Sequence, residues 1–152
     1  MKRLILILFA ISLCISAFAQ EPEKTNKNAV YFTFGCSPFL TANISYEHKV
    51  WEPGHDLFNQ IWIKGNVGAW AFVLGGEGYN TAVTAQVLSA GKLVHWDMGL
   101  GISYFTLMDL SPVNILPAGN LGLRLQKKKN SPIFRFGIGF PEILYASLGY
   151  AF

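Results

Sequence analysis

Along most of this chain, apolar and polar residues alternate one by one, and the apolar set is almost free of charge. Between Leu93 and Phe105, Val94, Trp96, Met98, Leu100, Ile102 and Tyr104 fall on one side; His95, Asp97, Gly99, Gly101 and Ser103 fall on the other. Successive side chains of a strand point to opposite faces, so a period of two specifies a β-strand with unlike faces. No apolar stretch reaches the roughly 18 residues that a membrane-spanning helix needs.

The same pattern recurs, broken by Gly, Pro, Asn and Ser clusters. Val30 to Cys36 sets Val30, Phe32 and Phe34 against Tyr31, Thr33 and Gly35. Leu40 to Lys49 sets Leu40, Ala42, Ile44 and Tyr46 against Thr41, Asn43, Ser45, Glu47 and Lys49. Thr81 to Leu88 is weaker. Gly119 to Gln126 sets Leu121, Leu123 and Leu125 against Asn120, Gly122, Arg124 and Gln126. Ile133 to Phe140 sets Phe134, Phe136, Ile138 and Phe140 against Arg135, Gly137 and Gly139. The chain ends on Leu144, Ala146, Leu148, Tyr150 and Phe152 as one face. Ile61 to Leu74 is irregular, because Trp62 and Trp70 share the side of Lys64 and Asn66; a bulge near Gly65 or Gly68 is expected to re-aim one of them. That makes eight strands of about ten residues joined by short turns, as in a small closed barrel.

The N-terminus reads as an export signal. Lys2 and Arg3 precede an apolar run from Leu4 to Leu13, and Ala17-Phe18-Ala19 is a small-x-small cleavage site. Cys14 raises a lipoprotein alternative, but Leu13 stands where a small residue is normally needed. The expected organisation is a signal peptide over 1–19, a polar, flexible lead-in over 20–28 and a barrel over 29–152. Loss of Lys2 and Arg3 takes the 12 basic residues to 10 against 9 acidic ones, so no basic nucleic-acid footprint remains. Lys127-Lys128-Lys129 reads as a solvated turn. Cys36 alone makes no internal disulfide, and no Cys/His spacing suits a metal.

The composition of the polar face decides which way the sheet turns. A water-facing surface is rich in Lys and Glu; this one is mostly Gly, Ser, Thr and Asn, with isolated Glu47, Lys64, Asp97, Arg124 and Arg135. The small residues fit a crowded interior, and the aromatic, aliphatic face fits hydrocarbon. A closed barrel pairs every backbone group without water. The expected fold is therefore all-β, an eight-stranded antiparallel up-and-down transmembrane barrel. Glu47, Lys64, Asp97, Arg124 and Arg135 are expected to form ion pairs in its lumen, because unpaired buried charge is costly. Side chains roughly fill an eight-stranded barrel, which favours a structural plug over an ion path. Tyr46, Trp51, Trp96, Tyr104, Tyr150 and Phe152 are candidates for interfacial girdles.

Catalysis finds little support. His95, Asp97 and Ser103 are the tempting acid–base set, but His95 and Ser103 lie about 26 Å apart along one strand at about 3.3 Å per residue. No catalytic, cofactor or metal residue is assigned. Two alternatives stay open: a lipid-modifying barrel enzyme, and a soluble periplasmic barrel with an apolar ligand inside.

With the signal peptide, the Asn43-Ile44-Ser45-Tyr46-Glu47 and His95-Trp96-Asp97-Met98-Gly99-Leu100-Gly101 segments, Leu121-Gly122-Leu123-Arg124-Leu125-Gln126 and the Leu148-Gly149-Tyr150-Ala151-Phe152 end, the chain resembles the small outer-membrane β-barrels of Gram-negative bacteria, of the OmpA-like transmembrane type. The resemblance covers about residues 29 to 152. It implies outer-membrane lipid as surroundings and the barrel-assembly machinery as a partner during insertion, reading Leu148, Tyr150 and Phe152. No wall-binding domain follows, so the resemblance carries no tethering role.

Overall fold

The computed structural model describes residues 26–36, 39–52, 58–72, 75–106, 114–126 and 130–152. The signal segment, Cys14, His55 and Lys127-Lys128-Lys129 lie outside the described residues. Eight antiparallel strands follow in chain order: β1 (Asn28–Cys36), β2 (Phe39–Trp51), β3 (Phe58–Phe72), β4 (Glu77–Ser89), β5 (Val94–Phe105), β6 (Asn114–Gln126), β7 (Ser131–Phe140) and β8 (Leu144–Ala151). Each pairs with its neighbours in sequence, and β1 pairs with β8 to close the barrel. The seam is completed by Phe152, whose backbone exchanges hydrogen bonds with Asn28 at 2.9 and 3.0 Å. The chain termini share one end with the turns after β2, β4 and β6; the turns after β1, β3, β5 and β7 form the far end. The β3–β4 turn uses positive φ at Gly75 and Gly76, which L side chains rarely adopt.

The pairing fixes the strand tilt. Followed round the wall, Trp51 leads through Ile61, Val87, Met98, Leu121, Ile138, Leu144 and Cys36 back to Leu40 on the same strand. Discounting the bulge between Lys49 and Trp51, the stagger is about ten residues, which over eight gaps of about 4.8 Å tilts the strands by roughly 40°.

The strand faces are sorted as the alternation dictates. Outward positions are largely apolar: Leu100 is 79 % exposed and Leu148 64 %. Among the described strands they carry no Lys, Arg or Asp, and Glu77 only at the start of β4. Cys36 is also on the outside. Inward positions are buried and largely polar, including Glu47, Gln86, Asp97, Arg124 and Arg135.

β3 departs from expectation. Its register runs unbroken against β4 from Gln60 to Ala71 and against β2 from Trp62 to Phe72, with no bulge at Gly65 or Gly68. Trp62 and Trp70 both point inward and are buried. The sheet makes room for them: Trp70 lies over its cross-strand partner Gly78, where an added Cβ would approach the indole nitrogen to 2.9 Å. Tyr31 likewise lies over its partner Gly149. Strand bounds also shift: β6 begins at Asn114 and β4 at Glu77, so residues expected in turns extend the wall.

Candidate functional site

The lumen is layered. At the terminal end Ala29, Tyr31, Trp62, Leu88, Ile133 and Ala151 form a buried apolar cluster. Asn26, ahead of β1, is also buried.

Above that cluster lies the charge layer. Glu47 from β2 bridges two guanidiniums, accepting from Arg124 Nη1 at 2.8 Å and from Arg135 Nη1 at 3.0 Å. Asp97 from β5 pairs with the other amino group of Arg135. The Arg124 guanidinium stacks on Trp62 at 4.7 Å from the ring centre, and Arg135 sits 5.0 Å from that of Tyr31. The two guanidiniums thus meet both carboxylates and ring faces, each of which favours positive charge.

Amides tie this layer to the remaining wall. Arg124 Nε donates to Gln126 Oε1 at 3.1 Å. Gln86 Nε2 donates to Asn120 Oδ1 and to Thr84 Oγ1, both at 2.8 Å, and Asn120 Nδ2 donates to Asp97 Oδ1 at 3.4 Å. Gly99 lies between Gln86 and Asn120 in the register, and a Cβ there would collide with both amides. One connected network therefore joins β2, β4, β5, β6 and β7 across the barrel. Thr33 and Ser147 hydroxyls, 2.8 Å apart, link the seam strands.

Of the five lumen charges read from the sequence, the structure brings Glu47, Asp97, Arg124 and Arg135 into mutual contact. Lys64 stands apart, paired in register with Glu47 and Thr84 but within ion-pair distance of no carboxylate among the described residues. A further charge joins from the β7–β8 turn: Glu142 reaches into the far mouth and accepts from Thr41 Oγ1 at 3.1 Å and Asn43 Nδ2 at 3.3 Å. Turn composition gave no sign of that, and the roles of Gln86, Asn120 and Trp62 needed the register to emerge.

The residues considered for acid–base chemistry are engaged separately. His95 Nδ1 hydrogen-bonds the Ser89 carbonyl at 2.9 Å, Ser103 donates to the Leu116 carbonyl at 3.2 Å, and Asp97 serves Arg135. At the C-terminus, Leu148, Tyr150 and Phe152 all face outward, with the Tyr150 hydroxyl donating to the Asn130 carbonyl at 2.8 Å. Of the aromatic residues expected in girdles, Tyr46, Trp51, Trp96, Tyr150 and Phe152 are outward near the terminal end, and Tyr104 near the far end.

Fold and site together define an eight-stranded up-and-down β-barrel with a buried, salt-bridged polar interior and an exposed apolar exterior. Compared with family models, with curated proteins and with solved structures, the chain matches none.

Proposed function

We propose that this chain is an integral β-barrel of the bacterial outer membrane, exported by its N-terminal segment and inserted with both termini on the periplasmic side. The observation that carries the reading is the inversion of the wall: charges are enclosed and Trp, Phe, Leu and Ile are displayed. In water this arrangement exposes an apolar belt far beyond the patches that monomers tolerate; in lipid it is the arrangement of lowest cost. The role is structural: the lumen network braces the wall and neither conducts nor catalyses. The separate engagement of His95, Asp97 and Ser103 supports the absence of catalysis. Outer-membrane lipid surrounds the wall, and the assembly machinery reads the outward Leu148, Tyr150 and Phe152 during insertion.

The test is gel mobility of the protein from detergent-extracted outer membranes, unboiled against boiled. The expected result is a faster unboiled band that shifts on boiling. Recovery in the soluble periplasmic fraction with no shift would overturn the reading in favour of a soluble barrel.

A further inference from the structure

The charges inside the wall balance: Glu47, Asp97 and Glu142 against Arg124, Arg135 and Lys64. Glu47 and Asp97 are held by the two guanidiniums. Lys64 and Glu142 are left over, and among the described residues neither makes an ion pair. Both border one cavity of about 50 Å³ in the far half of the lumen, with Ser45, Asn66 and Asn80. Their opposite charges attract across it. The side-chain oxygens of Asn66 and Asn80 lack donors, and the Lys64 ammonium and a few waters are the donors such a space supplies.

Glu142 differs from the other five in origin. It belongs to the β7–β8 turn, and turns ordinarily run over the surface with their charges in water. Here the side chain turns inward over Gly35 of β1 and ends on β2, where Thr41 Oγ1 donates at 3.1 Å and Asn43 Nδ2 at 3.3 Å. Gly35 is the slot that lets it pass, since a Cβ there would collide with Cβ and Cγ of Glu142. The path crosses the seam where β8 closes on β1. Drawing a carboxylate out of water is costly unless it gains partners, and this one gains two donors and a facing ammonium.

We propose that the β7–β8 turn is a strap fastened inside the far mouth by Glu142, with Lys64 as its counter-charge through the water of the cavity. Fastened, it closes the far half of the lumen to outside solvent. Released, it swings out and opens the Lys64 cavity as a vestibule. The apolar cluster at the terminal end stays in place, so release makes no through-path. The strap lies inside the wall and does not depend on whether lipid or water bathes the outside.

The test places a thiol in the cavity by Ser45→Cys and follows its alkylation by iodoacetamide in the folded full-length barrel in detergent. Peptide mass spectrometry reads the rate, with the exposed Cys36 as internal reference. With the strap fastened, the introduced thiol should react about 100-fold more slowly than Cys36. Glu142→Ala and Glu142→Lys should each speed it at least about tenfold, and Glu142→Lys combined with Lys64→Glu should restore the slow rate, because the pair is rebuilt with its signs exchanged. Should the exchanged pair fail to fold, Glu142→Gln serves: it keeps the shape, loses the charge, and should still speed the reaction. A thiol introduced by Ala151→Cys, in the terminal-end layer, should stay slow throughout. Equal rates at the cavity thiol and Cys36 before any change at Glu142, or a rate unmoved by Glu142→Ala or Glu142→Gln, would overturn the proposal. So would a folded exchanged pair that stays fast, or a rise matched at the Ala151→Cys thiol, which would mean general loosening of the barrel.

Discussion

Single residues in this barrel act through the space they leave as much as through the contacts they make. Gly99 is the clearest instance. The hydrogen bond from Gln86 to Asn120 passes over it, and a methyl there would displace both amides. Gly99→Ala should therefore cost roughly 1–3 kcal/mol by overpacking, read as a lower urea midpoint. Gly65 is the control: nothing lies within 4 Å of an added Cβ, so Gly65→Ala should change stability by less than about 0.5 kcal/mol. Charge follows the same logic with a larger stake. Arg135→Ala removes the ion-pair partner of Asp97 and one of the two partners of Glu47, which keeps Arg124; this should destabilise by roughly 3–5 kcal/mol as the buried Asp97 carboxylate is left uncompensated. A urea midpoint unmoved by that substitution would mean that the charges do not brace the wall.

At the scale of the strand, β3 separates what alternation encodes from what it does not. In β5 from His95 to Ser103 and in β7 from Arg135 to Gly139 each inward position is small, polar or charged, so the face can be read there from residue type alone. In β3, Trp62 and Trp70 are large and apolar yet inward, and no local pattern announces it. The reason lies on other strands: Trp70 fits because its partner Gly78 has no side chain, and Trp62 because Arg124 arrives from β6 to stack on it. Glu142 was equally illegible, since a turn residue has no face until the turn is built. The four clustered charges were legible as inward-facing, but which carboxylate meets which guanidinium depends on the closure of β1 on β8. Trp62 belongs to the apolar cluster as well as to the stack. Trp62→Ala should cost roughly 3–5 kcal/mol, whereas truncation of an outward aromatic such as Trp96, 57 % exposed, should cost far less in detergent.

For the molecule as a whole, the tilt, the outer belt and the layered lumen support one another. Ten residue steps from Val94 to Tyr104, at about 3.3 Å each and inclined by roughly 40°, give an apolar height of about 25 Å, the belt a transmembrane barrel presents. Leu100 lies at the middle of that belt, so Leu100→Arg should destabilise the barrel by roughly 2–4 kcal/mol in a bilayer. In a water-facing wall the same change would stay within about 0.5 kcal/mol, and unfolding from lipid vesicles distinguishes the two. The layers make a further prediction about transport. The charge layer is backed at the terminal end by the apolar cluster of Tyr31, Trp62, Leu88 and Ile133, so two unlike barriers stand in series. Wild-type protein in planar bilayers should show no conductance steps, and Arg135→Ala should not create them, because the apolar barrier survives. Opening should require the apolar layer to go too, as in Arg135→Ala combined with Trp62→Ala and Leu88→Ala. If Arg135→Ala or Asp97→Ala alone conducts while the urea midpoint holds, the charges form a gate, and the apolar cluster does not seal the terminal end.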